Sequence, residues 1–207
     1  MISTLSGSLG IGEIFIFLFI TMGPFTVLPV FARLTRNSEP SFERQLATRT
    51  FLIALVAALV SAVLGSALMG RWHLSVPAIA FTAGVLLFVV ALRRLLDLYA
   101  THPADDAPTP TLAMATAPLA FPNIVTPYGL AIAVTLLTLA PEARWQILGC
   151  MTAVIVLDYL AMFFAKPVIK VLGLPLALLG VVLGVLQIAL SLQIVIFAIR
   201  IMLQTPK

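Results

Sequence analysis

The sequence predicts an all-α membrane protein: six transmembrane helices forming two inverted three-helix repeats, with spans 1 and 4 broken at proline and glycine. Three observations predict it. Hydrophobic residues make up 61% of the 207 residues and charged residues 10%, with a mean hydropathy of +1.15; soluble domains carry about 45–50% apolar and about 25% charged residues. The apolar residues fall into blocks of helix length, and a helix needs roughly 20 residues to cross the hydrocarbon where a barrel strand needs about 10. Two blocks half a chain apart are interrupted in the same way, by Thr21-Met22-Gly23-Pro24-Phe25-Thr26 and by Val125-Thr126-Pro127-Tyr128-Gly129.

The first block, Ile11–Leu34, lacks a basic stretch ahead of it and is longer than the apolar core of a secretory signal, so it reads as a retained first span. Phe51–Met69 follows as the second span. Pro77–Leu96 is the third, opened by Pro77 and closed by Arg93 and Arg94. Residues 97–111, rich in Pro, Asp, Ala and Thr, read as an exposed cytoplasmic linker between a first repeat at residues 1–96 and a second at 112–207. Leu112–Leu139 is the fourth span, with Pro118, Pro122 and Pro127 inside it. Ile147–Phe164 is the fifth, and Leu174–Met202, opened by Pro175, the sixth. Three spans per half make the second half enter the membrane from the opposite side. Gly84-Val85-Leu86-Leu87 in span three matches Gly180-Val181-Val182-Leu183 in span six, as an internal repeat requires.

Charge sets the orientation. Arg33, Arg36, Arg44, Arg49, Arg93, Arg94, Lys166 and Lys170 fall on one side of this arrangement; Arg71, Arg144, Arg200 and Lys207 fall on the other. The positive-inside bias makes the richer side cytoplasmic and puts both termini outside the cell inner (plasma) membrane. The net charge of +4 is accounted for by topology, which excludes nucleic acid as a partner.

Gly23-Pro24-Phe25-Thr26-Val27-Leu28-Pro29-Val30-Phe31, followed by Leu34-Thr35, resembles the first-span signature of the MarC family of six-span membrane proteins. Pro118-Leu119-Ala120-Phe121-Pro122 leading to Thr126-Pro127-Tyr128-Gly129 resembles its fourth-span signature. Members typically carry Asn or Asp before the first proline and Gly-Pro-Gly in the fourth span. Gly23 and Thr126-Pro127-Tyr128 stand there in this chain, the pattern of a divergent member. The resemblance implies six spans and, from members described as carriers, transport of a small neutral amino acid.

The breaks have their own chemistry. Proline lacks an N–H and its ring displaces the carbonyl four residues earlier. Pro24 therefore frees the carbonyl of Ile20, Pro29 that of Phe25, Pro122 that of Pro118 and Pro127 that of Asn123. Where each helix restarts, unpaired N–H groups carry partial positive charge. Interrupted spans at matching places in two halves are the sequence signature of a midplane substrate site. Carbonyls suit an ammonium group or cation and N–H groups suit a carboxylate, so the pair suits a zwitterion. Thr21, Thr26, Asn123 and Thr126 add side-chain hydrogen bonds, Gly23 and Gly129 admit close approach to the backbone, and Phe25 and Tyr128 form walls that favour a small substrate, beside Pro24 and Pro127 themselves. The competing expectation is that the prolines only kink the helices, with neighbouring helices repairing the lost bonds.

Asp158 is an acid well inside a span, and such a residue costs roughly 2.5–3.5 kcal/mol on insertion. It is expected either to couple transport to protons or sodium ions, or to make a structural hydrogen bond to a broken helix or to Tyr159. Gln187 and Gln193 lie on different faces of span six, so one at most faces inward, with Ser191 a further candidate. His102, Asp105 and Asp106 lie in the linker without metal-ligand spacing, and no metal or other cofactor is expected. No hydrolase, phosphate-binding or redox pattern is present, so an enzyme is not expected. The expectation is a secondary transporter of a small solute working by alternating access in the lipid bilayer. An ion-conducting channel and a non-transporting membrane assembly protein are the alternatives. Gly180 and Gly184 offer a small-residue face that packs helices within the monomer or in a homo-oligomer.

Overall fold

The computed structural model describes residues 10–97 and 111–204. Among these described residues there are seven α-helices: α1 (Ile11–Met22), α2 (Val27–Leu34), α3 (Pro40–Arg71), α4 (Val76–Asp97), α5 (Pro127–Leu139), α6 (Arg144–Phe163) and α7 (Ala165–Gln204). An irregular stretch over residues 112–124 precedes α5. The expected linker (all but its end residues) and both expected outer termini fall outside the described residues.

Five segments are long and apolar enough to cross a bilayer: Ile11–Leu34, Pro40–Arg71, Val76–Asp97, Pro141–Phe163 and Gly180–Gln204. The pair Leu112–Ile124 and Pro127–Leu139, bent by 57°, supplies a sixth. The described residues are helical and contain no strand, as composition predicts. Both expected breaks are present, between α1 and α2 and between Ile124 and α5.

Two boundaries differ from expectation. The second helix starts at Pro40 rather than near Phe51, because Pro40 suits the first helical position and Leu46, Ala47 and Thr50 give the charged first turns a buried side. The loop expected between spans five and six shrinks to Phe164, whose N–H bonds the Leu160 carbonyl at 3.0 Å; Lys166, Lys170 and Pro175 all lie within α7. Hydropathy finds the apolar part of a helix and misses its charged extensions.

The helices turn their small residues inward. On α3, Ala54, Ala58 and Ala62 are buried while Leu52, Val56, Val60, Leu64 and Leu68 face outward. On α4, Ala80, Ala83, Gly84, Leu87 and Ala91 are buried and Phe81, Val85 and Val89 are exposed. Lipid is as apolar as leucine, so bulk faces the chains of lipid and small side chains let backbones approach. Gly84 shows the closeness: a Cβ there would stand 2.8 Å from Val195 and 3.1 Å from the Ser191 carbonyl. Among the described residues, nothing stands within 4 Å of a Cβ added at Gly180 or Gly184, so neither marks a close helix contact there. The substantial contacts of α1, α2, α3 and α4 are all with elements that follow residue 111, the largest being α4 on α7. The two sequence halves therefore interleave, and this interleaving brings the breaks together.

Candidate functional site

The first break begins where α1 ends at Met22. Gly23 is extended (φ −78°, ψ 173°), and a Cβ there would run into the Phe19 carbonyl oxygen, so the turn needs glycine. The chain re-enters a helix through Thr26, and the Leu28 N–H bonds the Pro24 carbonyl at 3.0 Å. The second break has non-helical residues at Ala117, Phe121 and Pro122, and the Ala117–Pro118 and Phe121–Pro122 peptides are cis. α5 restarts at Pro127 with Thr126 as its cap, the hydroxyl accepting from the Gly129 N–H at 3.0 Å.

The breaks bond to each other reciprocally. The Thr26 hydroxyl donates to the Asn123 carbonyl at 2.7 Å, the carbonyl that Pro127 frees, and lies 3.2 Å from that of Gly23. The Thr126 hydroxyl donates to the Thr21 carbonyl at 3.0 Å. Both threonines are buried. Two of the other three freed carbonyls also find side-chain donors. Asn123 Nδ2 donates to Pro118 at 2.8 Å, and Gln187 Nε2 from α7 donates to Ile20 at 2.6 Å. Three of the four carbonyls expected to stand open for a ligand are thus closed by donors that the protein supplies.

Several expected site residues are engaged elsewhere. The Thr21 hydroxyl turns back on α1, 2.8 Å from the Phe17 carbonyl. The space that Gly129 leaves is filled by the Met22 side chain and not left open. Phe25, in the turn between α1 and α2, packs edge-on against Phe19 of α1, ring centroids 5.5 Å apart. Pro24 is half-buried and Pro127 exposed. Tyr128 is buried, with the Arg94 guanidinium and the Thr126 hydroxyl in its neighbourhood. The structure brings Thr21, Gly23, Thr26, Asn123, Thr126 and Gly129 into one junction, with Met22 between them.

Asp158 is fully buried on α6, and neither carboxylate oxygen has a hydrogen-bond partner. Of its two expected structural partners, Tyr159 is 3.4 Å from the Thr48 hydroxyl instead, and the broken helices make no bond to it. Gln187 and Ser191 are buried and Gln193 is exposed, so span six turns one glutamine inward.

Sequence reasoning missed Arg94 and Thr50, and named Gln187 without its role. The signal for Gln187 was present: a carbonyl freed by Pro24 needs a donor, and a long polar side chain in an apolar span can reach one. Arg94, at the basic end of span three, carried only a topology signal.

An apolar groove of about 510 Å³ lies away from the breaks, between the N-terminal ends of α1 and α6, lined by Ile11, Phe15, Gly149 and Cys150 among others. No group of three or more acidic, histidine or cysteine side chains is placed to hold a metal among the described residues.

The profile of the MarC family integral membrane proteins matches residues 10–203. The chain belongs to this family. Among MarC relatives, it is 23% identical over 163 residues to a UPF0056 membrane protein of Archaeoglobus fulgidus, covering 75% of this chain and 76% of that one. It is 28% identical over 80 residues to the UPF0056 inner membrane protein YhgN of Escherichia coli, covering 39% of this chain and 41% of the relative. No solved structure matches. Family membership and the six-span fold agree in making this MarC chain a multi-pass integral membrane protein.

Proposed function

We propose that the protein is a secondary transporter of a small neutral amino acid or similar metabolite, a carrier and not an enzyme. It works by alternating access between two inverted repeats in an inner membrane, with both termini outside. The observation that carries this reading is the reciprocal pair of bonds, Thr26 to the Asn123 carbonyl and Thr126 to the Thr21 carbonyl.

These bonds join two interrupted spans in the protein interior. A buried hydrogen bond of this kind contributes about 0.5–1.5 kcal/mol net, so each is exchangeable. The ammonium group of a small zwitterion offers N–H donors to the same Thr21 and Asn123 carbonyls. Its carboxylate is favoured at the start of α5, where backbone N–H groups begin a helix and Arg94 lies near Tyr128. On this reading the structure is the closed carrier, its substrate-binding groups paired with one another. A pore needs a path that stays open, which the mutual closure of the breaks disfavours. The homologue YhgN is named an inner membrane protein, in keeping with the assigned membrane.

Reconstituted protein tests the reading by counterflow of labelled alanine or glycine into preloaded liposomes. Saturable counterflow is expected, and Pro24→Ala and Pro127→Ala should each abolish it while insertion persists. Normal exchange by both variants would place the site elsewhere. Conductance without exchange would make the protein a channel.

A further inference from the structure

Asp158 combines three features that no role assigned so far uses: complete burial, two carboxylate oxygens without a partner, and a position at mid-depth. The depth follows from two contacts, one in the first half of α6 and one at the start of α7. The Cys150 thiol is 3.9 Å from the Ile11 carbonyl, and Lys166 donates to the Ser38 carbonyl at 3.3 Å. α6 therefore runs alongside the α1–α2 span, and Asp158, midway between Cys150 and Lys166, lies at the level of the first break.

α3 crosses α6 antiparallel. Lys166 pairs with Glu43, Arg44 stacks 5.5 Å over the Phe163 ring, and Phe51 meets Tyr159 with ring centroids 5.1 Å apart. This register sets Thr50 level with Asp158. Thr50 is buried too, and its hydroxyl has no partner.

An ionised carboxylate without a counter-charge is the most costly group to hold in a bilayer interior, and such residues mark proton relays and ion pathways. The elements packed on α6 carry, among their titratable and charged groups, Glu13 on α1, Arg33 on α2, Glu43, Arg44 and Arg49 on α3, Tyr128 on α5 and Lys166 on α7. None is hydrogen-bonded or ion-paired to Asp158. A metal cation needs several oxygens around it. Of the carbonyls freed or exposed at the breaks, those of Ile20, Thr21, Pro118 and Asn123 are already taken by side-chain donors. A proton needs one oxygen; Asp158 and Thr50 do not bond each other in this structure, so the protonated carboxyl reaches the Thr50 hydroxyl only after a side-chain rotation.

We propose that Asp158 is the proton-binding site of the carrier, with the Thr50 hydroxyl as hydrogen-bond partner of the protonated carboxyl. The proton is taken from water on one side when access opens there, is carried as neutral –COOH through the closed state, and is released to water on the other side. The coupling role rests on the transport reading above; the proton site itself does not.

Infrared spectroscopy of the full chain in lipid nanodiscs, with ¹³C-labelled aspartate, tests it without any substrate. At pH 7 a protonated-carboxyl C=O band is expected, lost in Asp158→Asn, retained in Asp158→Glu with labelled glutamate, and shifted to higher frequency in Thr50→Val. It should be unchanged when potassium is replaced by sodium. Absence of the band at pH 7, or its loss on adding sodium, overturns the proposal, and an unshifted band in Thr50→Val removes Thr50 from the site. If the band behaves as expected but no amino acid shows counterflow, the substrate reading fails and the proton site stands. Where counterflow is found, Asp158→Asn should lose accumulation driven by a pH gradient.

Discussion

Gln187→Leu isolates the bond that closes the first break. The Gln187 amide reaches the Ile20 carbonyl at 2.6 Å because Pro24 removed the N–H that a regular helix would aim there. Leucine is close in volume to glutamine, so the change removes a donor and leaves little cavity. An orphaned buried acceptor costs about 1–3 kcal/mol. Polar pairs between membrane helices average about 0.6 kcal/mol and reach about 1.7. The expected loss is therefore about 1–2 kcal/mol, measured by reversible unfolding in mixed detergent micelles. Gln193→Leu, on an exposed position of the same helix, should cost nothing. The decisive measurement is a double-mutant cycle. Pro24→Ala returns an N–H to position 24, so Gln187→Leu in that background should lose no more than about 0.5 kcal/mol. An equal penalty in both backgrounds would mean that Gln187 does not substitute for the missing backbone donor, and the account of the break would fail.

Two further tests address the packing around the junction. Gly129→Ala drives a methyl into Met22 and should destabilise by about 1–3 kcal/mol, whereas Gly149→Ala, with nothing within 4 Å of its Cβ, should stay within about 0.5 kcal/mol in the same unfolding assay. Lys166→Ala breaks the pair with Glu43 on a half-exposed lysine, so its cost should be under about 1 kcal/mol and should shrink as salt rises.

Much of the fold was legible because a bilayer asks one question of a sequence: where the apolar runs of helix length lie. Proline and glycine then marked both interruptions, because the missing N–H is a local property of the residue. The start of α3 at Pro40 and of α7 at Ala165 was not legible by hydropathy, since those turns are charged and helical through contacts with other helices. At the site, which carbonyls would be freed could be read from proline positions alone. Which donors would answer them could not, because Thr26 reaches Asn123 and Gln187 reaches Ile20 only after the two halves interleave. Asp158 stood out by its charge; that Tyr159 would pair with Thr48 and leave Asp158 without a partner depended on the register of α3 against α6.

The contrast between ordinary turns and the breaks bears on whether the prolines do more than bend. Away from the breaks, six threonine hydroxyls among the described residues bond back toward the preceding turn: Thr35 to Phe31, Thr48 to Arg44, Thr82 to Ala78, Thr135 to Ala131, Thr138 to Val134 and Thr152 to Leu148, each four residues back. A kink could be repaired in the same way, and the Asn123 amide does repair Pro118 locally. Three bonds at the breaks instead reach across 97, 105 and 167 residues. Local repair moves with its helix and survives any rigid-body shift. Bonds between α1, α7 and the two breaks survive only while those segments keep one arrangement, so sliding either span against its neighbours reopens the carbonyls to whatever donor has entered. A chain needing only bent helices has no reason to tie their repair to tertiary position, whereas a carrier whose binding groups must be exposed in one state and closed in another requires that tie.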